Sequence, residues 1–373
     1  MTDGFSQART AAVAAAMCLL LAARARAQVT PAAGYTPPDD TPSIKVGVTL
    51  FADYTIQQEP KIKDAAGNEV TLNSFNVARS YISVVGNISH LIAFRITPDV
   101  TRETGVGSSL NGSLTLRLKY GYAQFNLDDW MTRGSWVRFG QQQTPWLDFM
   151  EGIYRYRFQG SVFTERDGFL SSSDFGVSFR YSLPGNYGDI HSGIYNGETY
   201  TQPEVNGQKG YMIRGTLRPL PMHPVLRGLR VTGYWDQDAY LKNEDRRRGI
   251  INATFEHAYL NGSFEYLMAK DTRPVTTTPR RTETADAHGW SAWVTPKTTK
   301  GWEGLLRFDH LEPNTHAPGK RDRTIGGVAY WFPHQGNVAT ALLLDIDNTK
   351  SKDLVPTNPP IQRRIALHML LNF

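Results

Sequence analysis

The stretch "LTLRLKYGY", Leu114 to Tyr122, places Leu114, Leu116, Leu118, Tyr120 and Tyr122 on every second residue and Thr115, Arg117, Lys119 and Gly121 between them. Successive side chains of a strand point to opposite faces, so as a strand this segment has one apolar wall and one wall that needs water. A soluble β module would bury one face in a polar-free core, and Arg117 with Lys119 contradicts that. "LIAFRI" repeats the pattern, with Ile92, Phe94 and Ile96 against Ala93 and Arg95. In "GWEGLLRFD", Trp302, Leu306 and Phe308 oppose Glu303, Arg307 and Asp309, and Leu305 breaks the alternation. The last ten residues, "RIALHMLLNF", set Ile365, Leu367, Met369, Leu371 and Phe373 against Arg364, His368 and Asn372, with Ala366 and Leu370 as exceptions.

Period-two patterning runs almost without a break from Ile44 and predicts sixteen strands: 44–54, 72–86, 90–97, 113–127, 134–143, 173–183, 187–196, 209–219, 227–238, 246–259, 261–271, 286–296, 301–311, 323–332, 336–347 and 362–373. Each is near or above the nine to eleven residues that a tilted strand needs to cross hydrocarbon. The one ambiguous stretch is Trp146 to Phe158. Connections after even-numbered strands are mostly short ("NIS", "PGNY", "LNG", "PHQG"). Those after odd-numbered strands are long, at 55–71, 98–112, 144–172, 197–208, 272–285 and 349–361. Short turns on one rim and long loops on the other are the layout of a transmembrane β-barrel. Tyr54, Trp130, Trp136, Trp235, Trp290 and Trp331 fall near strand ends, where an aromatic girdle would meet the two interfaces. Lipid is therefore the expected apolar medium, and a closed sheet leaves no unpaired edge in it.

Residues 1–27 carry Arg9, the apolar run "AAVAAAMCLLLAA" and a small-x-small site at Ala25–Ala27, the pattern of a secretory signal peptide. Residues 28–43, rich in proline, form a flexible lead-in, and 44–373 form the barrel. Cys18 is the single cysteine and lies in the leader, which suits export through an oxidising space. Mean hydropathy is −0.39, and a barrel gives such a value because lumen-facing and lipid-facing residues cancel. The whole chain has net charge +5. "RRR" at Arg246–Arg248 is the one basic run, a strand end or loop and too little for a nucleic-acid footprint.

A narrower pattern begins at "SFNVARSYISVVGNI" and continues through "LIAFRITPDV", "LRLKYGYAQFNL" and "WVRFGQQQTPW". In this order, with the "GQ…TP" element closing the fifth strand, the chain resembles the phosphate-selective porin family (porins O and P). The terminal Phe373 after alternating apolar residues resembles the assembly signal of bacterial outer-membrane proteins. The resemblance implies an all-β fold, a 16-stranded antiparallel barrel in the outer membrane with a long constricting loop after strand 5. It also implies a homotrimer, outer-membrane lipid as surroundings, and arginines that lead small anions, phosphate or other oxyanions, to the constriction. Lysines at the narrowest point belong to the family, and here Lys119 is the one lysine between Lys63 and Lys209.

Candidate pore-lining residues are Arg79, Arg95, Arg117, Lys119 and Arg138 on strands two to five, and Arg155, Arg157 and Arg166 in segment 144–172. That segment also holds Asp148, Glu151, Glu165 and Asp167. Arginine suits oxyanions because its planar fork donates two parallel hydrogen bonds and stays charged. The alternatives are a general or weakly selective diffusion porin and an outer-membrane β-barrel enzyme. Against the enzyme, Asp309 and His310 are adjacent and point to opposite strand faces, so no triad forms there. No Gly-x-Ser-x-Gly or His-x-x-x-His element occurs. No cofactor or metal is expected.

Overall fold

The computed structural model describes residues 40–373 except 106, 205, 240–243, 278–279, 335–337 and 355–358. The expected signal peptide and residues 28–39 of the lead-in lie outside the described residues. Sixteen strands close an antiparallel barrel in chain order. They are β1 (Ser43–Lys63), β2 (Glu69–Asn87), β3 (Ile92–Arg102), β4 (Leu114–Asn126), β5 (Trp136–Gln143), β6 (Ser173–Ser182), β7 (Gly188–Tyr195) and β8 (Gly210–Leu217). Then follow β9 (Leu229–Ala239), β10 (Asp245–Glu256), β11 (Leu260–Thr277), β12 (Arg280–Pro296), β13 (Trp302–Glu312), β14 (Lys320–Trp331), β15 (Ala339–Lys352) and β16 (Ile361–Asn372). Between β5 and β6 lie two short helices, α1 (Pro145–Ile153) and α2 (Phe163–Arg166).

Closure is made by β1 and β16, with Thr49 opposite Asn372 and Phe51 opposite Leu370. Val48 and Phe373 exchange both backbone hydrogen bonds, at 2.9 and 3.1 Å. The outer face carries an apolar belt: Leu116, Leu306, Val328, Leu344 and Leu367 are all exposed, Leu116 by 66%. A continuous apolar belt of that kind requires an apolar medium. The inner face alternates with it and holds Thr97, Arg307, Asp309 and His368, all buried.

Two expected long loops are strand instead. Residues 55–71 and 272–285 mostly extend the β1–β2 and β11–β12 hairpins, because the polar residues there still pair, as in Lys63 opposite Glu69 and Thr272 opposite Thr284. "RRR" opens β10, with Arg246 bound to Asp238 and Arg248 to Asp271. The ambiguous stretch begins with α1, where Pro145 takes the first turn and Trp146, Leu147, Met150 and Ile153 are buried on one side.

Parity also changes within β4, where the alternation had been extended too far. Thr97 lies opposite Tyr120 and Pro98 opposite Leu118, so Lys119 is an extra residue in β4. Pro98 cannot donate to the ladder, and the bulge beside it turns every later side chain of β4 to the other face. Tyr120 and Tyr122, expected outward, therefore stack against Arg95 and Arg138 inside, and Phe125 faces out. Trp136 and Trp331 likewise leave the expected girdle: both are buried inside the barrel, against Arg138 and Arg155. Trp130 and Trp235 are exposed, and Trp290 stacks on Phe264 and Phe308. Asp309 binds Arg307 at 2.8 Å, while His310 meets Asp322 at 2.6 Å, as opposite faces demand.

Candidate functional site

The segment 144–172 leaves β5 and enters the barrel, where its aromatics find partners on the inner wall. Trp146 packs on Tyr234 (5.8 Å between ring centroids), Tyr154 on Trp293 (5.3 Å), and both Tyr156 and Phe158 on Trp331 (5.9 Å). Part of the inner wall facing this plug is apolar: Ile250, Leu267, Leu305, Ile325 and Leu343 are buried to 1% exposure or less. Such residues on a lumen wall would be costly against water, and the segment is what covers them.

Polar contacts fix the same segment across β8 to β16. Arg214 donates to the Pro145 carbonyl, Arg248 to the Phe169 carbonyl and Arg307 to the Ser161 carbonyl, at 3.0, 3.1 and 2.9 Å. Gln159 donates to Asp345 at 2.8 Å, the Tyr156 hydroxyl to Glu303 at 3.0 Å, and Arg321 pairs with Asp167. At the turn of the tip, a Cβ on Gly160 would lie 1.8 Å from the Arg166 guanidinium, so any other residue there would displace that side chain.

All eight candidate residues take part in this interior, but six are held by carboxylates. Arg79 and Arg117 share Asp99 at 2.8 and 3.2 Å, and Arg117 also donates to the Tyr200 hydroxyl at 2.9 Å. Arg138 is 3.9 Å from Asp148, Arg155 is 2.8 Å from Glu303, and Arg166 is 3.6 Å from Asp347. Arg157 binds Glu151 and Glu165, each at 2.7 Å. Arg95 and Lys119 have no carboxylate within 4 Å among the described residues. Arg95 donates to Thr97 at 2.9 Å and lies over the Tyr120 ring; Lys119 is 3.3 Å from the Tyr81 hydroxyl.

Charge within the segment follows from these contacts. Burial opposes the Arg157 charge, but Glu151 and Glu165 more than offset it and raise its pKa. Glu165 is lowered, because Arg157 and then Lys119 overcome its burial. Burial, with Arg307 and Arg323 nearby, brings Arg166 down to about 10, still cationic at neutral pH. Burial pushes Asp167 up despite Arg321.

Space remains on the side the plug leaves free. A cavity of about 400 Å³ lies between β1, β2, β16 and the tip, lined by Phe51, Asp53, Arg79, Arg157, Phe158 and Arg364. A second, of about 380 Å³, adjoins it along Glu59, Arg166, Arg323, Asp347, Arg363 and Arg364. A third, of about 420 Å³, lies toward the short turns and is lined by Phe51, Tyr81, Arg95, Lys119, Tyr120, Asp148, Glu151 and Arg157. Phe51 and Arg157 belong to both the first and the third, so they form the narrow wall between them. Together the three cavities are lined by eight cationic side chains and five carboxylates.

Arg323, Arg363 and Arg364 were not among the sequence candidates, although Arg364 stood on the polar face of its strand. Phe51 and Tyr81 were missed because aromatic residues on a barrel strand suggest lipid, and Tyr200 because it stands in the connection between β7 and β8. Among the described residues no cluster of three metal-ligating side chains occurs.

The architecture is that of bacterial outer-membrane barrels. Comparison with protein-family models gives no match, and comparison with curated proteins gives none either. Among solved structures the chain is similar to an anion-selective porin from Comamonas acidovorans, with a TM-score of 0.62 and 11% identity over 89% of this chain and 100% of that one. A loop-deletion mutant of OmpT, an outer membrane protein of Vibrio cholerae, gives 0.60 with 12% identity over 90% of this chain and 100% of that one. The outer membrane channel DcaP of Acinetobacter baumannii gives 0.57 with 10% identity over 89% and 97%. At these identities the likeness establishes the fold.

Proposed function

We propose that this chain is a porin of the bacterial outer membrane, a water-filled channel for passive diffusion of small anions, oxyanions included. The observation that carries the reading is the charge of the free lumen: eight cations against five carboxylates line its three cavities. Arg95 and Lys119 act as fixed positive charges within about a Debye length of 8 to 10 Å of passing ions, and so raise local anion concentration. Segment 144–172 serves as the constricting loop, the long connections face outward from the cell, and the barrels associate as trimers. Phe373, paired with Val48, fits the assembly role that its position suggests.

A salt gradient across a planar bilayer tests the reading. Reversal potential of the wild type indicates anion preference, and Arg95→Gln with Lys119→Met removes most of it. Arg117→Ala has the smaller effect, since Arg117 is already neutralised by Asp99. A cation-selective wild type overturns the reading. The second reading, a weakly selective diffusion porin, is favoured by the six paired arginines and gives a wild-type reversal potential near zero.

A further inference from the structure

The narrow wall between the first cavity and the third, which is the lower one toward the short turns, is aromatic as well as cationic. Phe51 projects inward from β1 and meets Tyr81 edge-on at 6.0 Å and Phe158 at 6.4 Å. Tyr81 and Tyr120 in turn flank Lys119, whose ammonium lies 5.0 and 5.3 Å from their ring centres, and Arg95 lies 4.5 Å from Tyr120. A hydrated inorganic oxyanion has little to gain here. It binds best to free guanidinium forks, yet Arg157 is spent on Glu151, Glu165 and Ser161, and Arg79 on Asp99. Stripping water from a dianion beside Asp148 and Glu151, which also line the lower cavity, is costly. What the site does offer is ring surface next to one ammonium and one guanidinium with no carboxylate within 4 Å among the described residues. The cavity of about 420 Å³ sets the rings of Phe51, Tyr81 and Tyr120 among convergent polar and charged groups, Arg95 and Lys119 included, and a small molecule with one apolar and one anionic end fits such a lining.

We propose that the constriction binds small monocarboxylates carrying an aromatic ring in preference to inorganic oxyanions, with the ring against Phe51 and Tyr81 and the carboxylate on Arg95 and Lys119. The proposal rests on the anion-channel reading and narrows it to a substrate class. Aromatic contacts of this kind are worth ~0.5–1.5 kcal/mol beyond area, so the ring should strengthen binding about fivefold.

The test uses the full-length protein in a planar bilayer carrying chloride current, with benzoate, acetate and phosphate added in turn at constant ionic strength. Benzoate is expected to halve the current at a concentration about fivefold below that of acetate or phosphate. Phe51→Leu and Tyr81→Leu, each shown to fold by heat-modifiable gel migration, should bring benzoate toward acetate. Lys119→Met should weaken block by both carboxylates. Equal block by benzoate and acetate, stronger block by phosphate, or full benzoate block in both leucine variants overturns the proposal while leaving an anion channel in place. A cation-selective wild type in the same bilayers would instead defeat the reading beneath it.

Discussion

The inner wall divides into two unlike arcs. From β9 to β15 the inward positions include Ile250, Leu267, Leu305, Ile325 and Leu343, all sealed by the inserted segment. From β16 through β1 to β4 they line open cavities with Arg364, Asp53, Arg79, Arg95 and Lys119. Both arcs obey the same alternation, so strand parity settles only which side a residue faces. What it must then be depends on whether chain or water stands opposite. The lumen is thus part protein core and part open cavity.

Breaking the packed arc should have the largest effect. Trp146 is fully buried and its indole donates to Thr164 at 3.0 Å. Trp146→Ala should cost about 3–5 kcal/mol. The expected readouts are a lower temperature for conversion of the fast-migrating unheated band and a higher, noisier single-channel conductance. Unchanged conductance would mean that the plug does not set the bore.

The same chemical change in both arcs sharpens the contrast. Arg307 and Asp309 are paired and almost completely buried. Arg307→Leu strands a buried carboxylate and should cost about 3–5 kcal/mol. Arg95→Leu strands none and should cost under about 1 kcal/mol, while its effect on reversal potential is the greater of the two. Equal losses of stability would erase the distinction between the arcs.

Acidification gives a smaller, reversible test. Glu165 has its pKa lowered by Arg157, so its contribution to latching is complete above the ordinary glutamate value and is lost as pH falls through the lower, folded-state value. Asp167, with a raised pKa, acts in the opposite sense: it protonates first and relieves a buried charge. Current should therefore remain quiet at pH 5 and become unsteady only below the normal carboxylate range. Flickering that begins near pH 6 would point to another group. The smallest effect is expected for Tyr200→Phe, which removes one hydroxyl contact with Arg117 worth about 1 kcal/mol and should barely move the reversal potential.

Strand number, order and closure were all legible from period-two patterning, because each strand repeats the same two-faced requirement. The exceptions were informative too. Leu305, Leu370 and Ala366 broke the alternation where the inner wall turns apolar, and all three are buried inside. Less could be read about charge. That Asp99 neutralises both Arg79 and Arg117 depends on register between β2, β3 and β4, and the bulge at Lys119 shifts that register. Long loops at 55–71 and 272–285 were misjudged because polar hairpins standing clear of a bilayer still satisfy their backbones by pairing.

The seam between β1 and β16 also fixes an order of events. Thr49 and Asn372, joined there at 2.6 Å, are 323 residues apart in the chain, and contacts of such separation form late because their loop entropy must be met first. The inserted segment touches β13, β14, β15 and β16 through Glu303, Arg321, Asp345 and Arg364. It cannot complete those contacts while the sheet is still open. Docking of the segment and closure of the seam are therefore expected to be coupled. Burial of Trp146, followed by fluorescence, and gain of the compact gel form should then share one rate constant.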